Sequence, residues 1–556
     1  MAMVSGGELL VRTLLRANVT NIFGLHGAHL ETIFQSCLDH RIPITDTRHE
    51  VAAGHAAEGY ARSSRSLGVA MATAGPGFTN IITSIANAYL DRTPVLYLSG
   101  SSGLSDAETN TLQSGLDQVA VATPITKWAH RITVAQTIPR LVAQAVRVAT
   151  SGVPGPVLLD LPMDVLGAQV DEAAAPIPET ILVETRPLPN DRSVEDALQL
   201  LAAAERPVIM AGVGAYMSGA ENELRTFAET TGIPVFSDFQ AHGLLPSSHP
   251  LYGGTFHKMA DLSKPGERPD VVLALGVRFG LFTLGMSDLV VPLASKIIHV
   301  EIDSKEIGRL RQVAVPIVAD PRETMRAFNA RAKSQKWPNR SVWQKRICDA
   351  KVARRQRAQP DLERAGPPIH PYQAVTAIAD NIAEDTIIIG DGAEAYHWFN
   401  EVVRQSHPGG YITHGFLGAV GFGMGLSIGA QVAHPKRPVL CLAGDGAIGF
   451  TIAEFDTMVR RQLPIVVVVM NNHSWAASQH FQQLVSGNRL SGTELRDANY
   501  HEVAAAFGCF ARRVTDVKDL GPAIREAFAS GKPACVNVSI DVAPMPPELH
   551  LLMARH

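Results

Sequence analysis

The run Ile465-Val466-Val467-Val468-Val469-Met470 restricts the fold more than any other feature of the chain. Unbroken apolar, largely β-branched residues, without polar alternation, make a strand covered on both faces. That is the habit of parallel sheets flanked by helices. The same kind of run recurs throughout: Val95–Leu98 and Val157–Leu159, then Val208–Met210, Val271–Leu275 and Ile297–Val300, then Thr386–Ile389 and Val439–Leu442. Two stretches rich in turn formers break the pattern. One runs through Pro176-Ile177-Pro178 and Pro187 to Asp191; the other covers Arg354 to Pro368. With 556 residues the chain is too long for one core. It is expected to form three doubly wound α/β domains with mainly parallel central sheets, over residues 1–180, 185–345 and 365–556. Pro94–Gly100 and Pro438–Gly444 echo each other, which is compatible with an old duplication and equally with chance among buried strands.

The charge balance, 49 basic against 53 acidic side chains, points to neither nucleic acid nor an anionic membrane. The cluster Lys351, Arg354, Arg355 and Arg357 reads as a solvated helix or linker face. The five cysteines are scattered and odd in number, which fits a reducing compartment and argues against zinc or a disulfide frame. Gly7 to Arg16 has helical spacing broken by Arg12 and Arg16, so it reads as an amphipathic core helix and not a signal peptide. The longest apolar run is far too short to span a membrane, and a cytoplasmic location is expected.

The sharpest chemical signal lies between Val439 and Trp475. A strand ends at Leu442, Gly444-Asp445-Gly446 follows, a helix is predicted from about Ile452, and the next strand closes on Asn471-Asn472. A right-handed crossover puts Asp445 and Asn472 at the carboxyl ends of neighbouring parallel strands, where open α/β sheets bind ligands. The glycines let backbone approach a phosphate. Asp445 and the Asn472 amide are hard oxygen donors suited to Mg2+. Gly-Asp-Gly alone is a common turn; the full combination is far more specific.

At these residues the chain resembles the thiamine-diphosphate-dependent enzyme family that includes pyruvate decarboxylase, acetohydroxyacid synthase and benzaldehyde lyase. The resemblance implies thiamine diphosphate and Mg2+ as cofactors, with Asp445, Asn472 and the Ser474 carbonyl as metal ligands. It places Gly446, Ala447 and Trp475 beside the diphosphate, with Ala393, Glu394, Ala395 and Tyr396 in a second turn and Gly418 and Val420 supporting the cofactor. In Asp46 to Arg62, Glu50 falls where the family carries the glutamate that activates the pyrimidine ring, and Thr47 is a possible cap of its helix. Leu25, Thr73, Pro76 and Asn80 are expected near that ring. The family draws these two sets from different subunits. A homodimer at minimum, and a homotetramer by preference, is therefore implied.

Within the family, the stretches Gly6–Leu9, Phe23–His29, Glu108–Gln113 and Pro124–Arg131 resemble the benzaldehyde-lyase type. That resemblance implies a lyase and carboligase cleaving aromatic 2-hydroxyketones into aldehydes. His29 and Gln113 would relay protons, Tyr396 and His26 would rank behind them, and Ala28, Met163 and Ala477 would complete the substrate pocket. The alternative is a 2-oxo acid decarboxylase or acetohydroxyacid-synthase-like enzyme; a non-catalytic cofactor-binding paralogue stands third. Decarboxylases of the family carry adjacent histidines where this chain has Leu112-Gln113-Ser114, which weighs against a simple decarboxylase. The middle segment contains Gly212-Val213-Gly214; some relatives bind a flavin or ADP there, but a lone Gly-x-Gly is weak, and a structural, flavin-independent domain is expected.

Overall fold

The computed structural model describes residues 3–106, 108–238, 240–262, 264, 267–283 and 288–553. Three six-stranded sheets, each parallel throughout its hydrogen-bonded pairs, carry the chain. In spatial order the N-terminal sheet runs Ile44–Asp46, Ile22–Gly24, Gly68–Ala72, Val95–Ser101, Val157–Pro162, Trp128–Arg131. The C-terminal sheet runs Tyr411–Thr413, Ile387–Asp391, Val439–Gly444, Val466–Asn471, Ala534–Ser539, Phe510–Val514. Numbered by chain order, both sheets read 2-1-3-4-6-5. The central sheet differs, with order 3-2-1-4-5-6. Its strands are Tyr252–Thr255, Val235–Ser237, Pro207–Ala211, Val271–Leu275, Lys296–Glu301 and Val315–Val318.

The shared topology of the outer sheets is a real repeat, but the sequence echo does not mark it. Val95–Ser101 is the fourth strand of its sheet and Val439–Gly444 the third, so the two runs are not equivalent. They look alike because both are buried parallel strands.

The second linker is largely helical. Ser341–Leu362 forms one helix with Pro360 in its last turn. Arg354 within it is not a solvated charge; its guanidinium meets Asp261 at 2.6 Å and Glu401 at 2.9 Å. Polar composition mimicked a linker because the apolar stripe of this helix, Trp343, Ile347 and Ala350, lies before Arg354, and the later turns carry paired charges. The five cysteines are all free. Among the described residues no helix is long and apolar enough to cross a membrane.

The outer domains meet along the helices Glu50–Ser64 and Gly423–Ala433. The contact is backbone on backbone. A Cβ on Gly59 would lie 2.2 Å from the Leu426 carbonyl oxygen, and one on Gly429 would lie 1.9 Å from that of Ala56. Beside this seam, buried Arg62 reaches Glu58 at 3.0 Å, Asp91 at 3.4 Å and the Thr413 carbonyl at 2.7 Å. Gly429→Ala is expected to destabilise the protein by about 1–3 kcal/mol through overpacking, seen as a lower Tm. Gly167→Ala, where a Cβ meets nothing within 4 Å, serves as the control. Equal Tm values for the two variants would contradict this account of the seam.

Candidate active site

The metal half of the site is built at the carboxyl ends of Val439–Gly444 and Val466–Asn471, which pair in parallel register. The helix begins at Asp445 itself, earlier than the sequence predicts, with Gly444 as its N-cap. Oδ1 of Asp445 accepts from the Gly446 amide at 3.0 Å, while buried Oδ2 has no hydrogen-bond partner. Burial lifts this carboxyl to about 6, against the opposing pull of nearby amides. A buried acceptor without a donor is costly, and a cation removes that cost. His473 holds φ at 59°, a left-handed turn that is unusual for a side-chain-bearing residue. This turn falls between Asn472, whose Oδ1 accepts from the Ser474 amide at 3.2 Å, and Ser474 itself. No group of three or more His, Cys, Asp or Glu side chains that could hold a metal ion is found among the described residues. The donor set is hard and oxygen-only, as Mg2+ requires.

A cavity of about 290 Å³ opens in front of these groups. Its walls include Ala393, Ala395, Val420, Asp445, Ala447, Asn472, Ser474, Trp475 and Ala477. Around Gly444 a Cβ would meet nothing within 4 Å, which leaves room for an incoming phosphate; at Gly446 it would strike the Trp475 ring at 2.6 Å. Glu394 lines the cavity, but its carboxylate is committed to His480, Oε1 to Nδ1, at 2.6 Å. His480 Nε2 lies 2.9 Å from the Val542 carbonyl. The pair fastens the helix Ala476–Ser486, one wall of the cavity, to the helix Ala393–Asn400, the opposite wall. Tyr396 is fully buried with its hydroxyl 2.6 Å from His397 Nε2 and is not among the lining residues. Gly418 is likewise outside the lining.

The activating half is a separate assembly. Glu50 is the first residue of its helix. Its cap is not Thr47 but His49, whose Nδ1 accepts from the Val51 amide at 3.1 Å; the Thr47 hydroxyl donates to the His49 carbonyl at 2.9 Å. Asn80 donates to Glu50 at 3.0 Å. Thr73 Oγ1 lies 2.9 Å from His29 Nδ1, and burial lowers the His29 pKa. Gln113, with φ at 68°, packs on the Gly75 turn that precedes Pro76. Ala28 starts the short 3-10 turn that carries His29, and Met163, at the end of Val157–Pro162, is 44% exposed. Leu25 and His26 line a different groove with Arg48, Arg460 and Arg461; His26 is exposed and paired with Glu31 at 2.8 Å. None of these residues lines the cavity at Asp445.

Sequence comparison supplies the deciding observation. Three thiamine pyrophosphate enzyme models match in order: the N-terminal TPP binding domain over residues 4–121, the central domain over 194–328 and the C-terminal TPP binding domain over 391–538. The chain is 31% identical to the probable acetolactate synthase large subunit of Methanocaldococcus jannaschii, covering 97% of this chain and 92% of that one. It is 32% identical to the acetolactate synthase large subunit of Corynebacterium glutamicum, over 94% of this chain and 84% of that protein. It is 30% identical to the acetolactate synthase isozyme 2 large subunit of Escherichia coli, over 97% and 96%. The chain belongs to the thiamine pyrophosphate enzyme family. Thiamine diphosphate with Mg2+ is its cofactor, and the Asp445 cavity, with its orphaned carboxylate oxygen, fits them.

The expectation of a benzaldehyde-lyase type is overturned: the relatives matched along nearly the whole chain are acetolactate synthases. That expectation leaned on the stretches Gly6–Leu9, Phe23–His29, Glu108–Gln113 and Pro124–Arg131. Of the pocket residues it implied, Ala477 lines the Asp445 cavity, while Ala28, His29, Gln113 and Met163 do not.

In this thiamine pyrophosphate enzyme the central sheet has the strand order of a dinucleotide-binding fold. The Gly214 amide donates to the Gly276 carbonyl at 3.0 Å, and the Val213 amide to Asp238 at 3.0 Å, so both amides of the Gly-x-Gly segment have partners within the chain. At the end of the next strands, Arg92 of the N-terminal domain meets Glu301 at 3.3 Å, Asp303 at 2.7 Å and Glu306 at 3.1 Å.

Several contributors carry no signal in the sequence: His480, the His473 turn, and Tyr500, whose hydroxyl donates to the Asp445 carbonyl at 3.1 Å. Only the fold brings them to the site. Burial alone would lower the His480 pKa, but the Glu394 carboxylate and the Val542 carbonyl raise it overall. The protonated pair is therefore lost as pH rises through that raised pKa, and the cavity wall loosens on the alkaline side. Cofactor retention on desalting should fall with rising pH in the native enzyme. His480→Ala, which leaves a buried carboxylate unpaired, should bind weakly at every pH and lose about 3–5 kcal/mol of stability. A variant that keeps the native pH profile would contradict the latch.

Proposed function

We propose that the protein is a carboligase of the acetohydroxyacid-synthase kind. It decarboxylates a 2-oxo acid such as pyruvate and joins the remaining acyl unit to a second 2-oxo acid. The chain-long similarity to acetolactate synthase large subunits carries this reading. When bound, thiamine diphosphate supplies the carbanion that attacks a carbonyl carbon. Asp445, Asn472 and the Ser474 carbonyl hold its diphosphate through Mg2+. Glu50, kept in place by Asn80, holds a proton at the pyrimidine ring. His29 and Gln113 would donate to substrate oxygens. The absence of adjacent histidines around Gln113 fits an enzyme that ligates and does not merely release aldehyde. The pairing of the Val213 and Gly214 amides within the chain supports a flavin-independent enzyme with a structural middle domain.

The active site is formed by two chains. Among the described residues none of the N-terminal domain lines the Asp445 cavity, which supports this reading. The expected minimum is a homodimer, and dimers are expected to pair.

Two measurements test the reading. Incubated with pyruvate, thiamine diphosphate and Mg2+, the enzyme should release CO2 and form acetolactate; cleavage of a 2-hydroxyketone without CO2 from any 2-oxo acid would overturn the assignment. Glu50→Gln should lower kcat by about 100-fold or more while keeping Mg2+-dependent cofactor binding. Undiminished turnover would refute the role of Glu50.

A further inference from the structure

Glu454 opens the helix Glu454–Arg460, one short helix downstream of Asp445, and takes no part in the metal site. Its side chain is 1% exposed, yet its partners lie mostly in another domain. Oε1 accepts from the amides of Arg48 at 3.0 Å and His49 at 3.2 Å. Oε2 accepts from the Arg48 amide at 3.1 Å and the Thr457 hydroxyl at 2.7 Å. Arg48 and His49 immediately precede Glu50. Burial raises the Glu454 pKa, while Thr457 and the two amides oppose that rise.

A carboxylate this deeply buried persists only where donors replace water. Here the cross-domain donors are main-chain groups, so what the carboxylate fixes is backbone. It sets the path through residues 48 and 49, hence where the helix starts and where Glu50 points. The other ties on this loop are weaker or more exposed: Arg48 to Asp456 at 3.7 Å and Arg460 to Asp46 at 2.6 Å. Exposed pairs of this kind are worth little and are screened by salt. On the far side, Asn80 holds the Glu50 carboxylate at 3.0 Å, and the Gly77 turn lies close. Glu50 is thus aimed by two grips, a side-chain amide at its tip and a buried carboxylate under its backbone.

We propose that Glu454 is a positioning residue for Glu50, by which the diphosphate domain of a chain sets the carboxylate that activates the cofactor. The proposal rests on the reading of Glu50 as that carboxylate.

The test uses the full-length enzyme loaded with thiamine diphosphate and Mg2+, in native, Glu454→Gln, Thr457→Val and Glu50→Gln forms. Three quantities are read: cofactor affinity by tryptophan quenching, Tm, and the rate at which bound cofactor exchanges its C2 proton for deuterium. Glu454→Gln should bind cofactor within roughly threefold of native, exchange C2 roughly tenfold more slowly, and lose kcat in step with KM little changed. Thr457→Val, which removes one donor without touching the loop, should slow exchange less but in the same direction. If Glu454→Gln fails to fold, Thr457→Val decides: a lower Tm with native exchange would sink the proposal. Native exchange in loaded Glu454→Gln would sink it directly. Native exchange in Glu50→Gln would remove the role of Glu50, and the proposal with it.

Discussion

The close approach of the helices Glu50–Ser64 and Gly423–Ala433 is the constraint on which the rest of the molecule depends. Three glycines, Gly59, Gly425 and Gly429, let the two backbones touch where any side chain would collide. The seam fixes the N-terminal domain on the C-terminal domain at a single angle. Arg62, Glu58 and Asp91 then fill its edge with buried, mutually neutralising charge, and Thr413 and Gln240 receive the remaining guanidinium donors. Such a network leaves little freedom for the domains to slide, because each displacement would leave a buried charge unpaired.

Two consequences follow for the chemistry. No residue of the Glu50 assembly lines the Asp445 cavity, which is why the proposed site draws on a second copy of the chain. The seam also lets Glu454 reach the amides of Arg48 and His49, which ties the scaffolds of the two half-sites together within a chain. The central domain also grips the N-terminal one. Its carboxylates Glu301, Asp303 and Glu306 hold Arg92, which lies just past the helix Pro76–Leu90 that begins beside Glu50.

Much of this was legible in the sequence. Unbroken apolar runs specify buried parallel strands, and three groups of them specify three α/β domains. Gly444-Asp445-Gly446 and Asn472 mark the walls of one cavity, because their spacing is set by one β-α-β unit. Other features misled. The linker composition of Arg354–Pro368 concealed a helix whose charges are paired across the fold. Thr47 looked like the cap because capping propensity is local, whereas His49 takes that place in a loop held from another domain. Long similar runs suggested a substrate type that chain-wide comparison overturned.

The sequence by itself determined the sheet type, the domain count, the cofactor and its metal, because each depends on local pattern or on residues joined by a single crossover. The tertiary structure alone decided where Glu394 and Tyr396 spend their polar groups, that the Val213 and Gly214 amides are paired within the chain, and that Glu454 reaches beneath Glu50. Those outcomes depend on which distant backbones come within hydrogen-bonding distance, and no spacing along the chain encodes that.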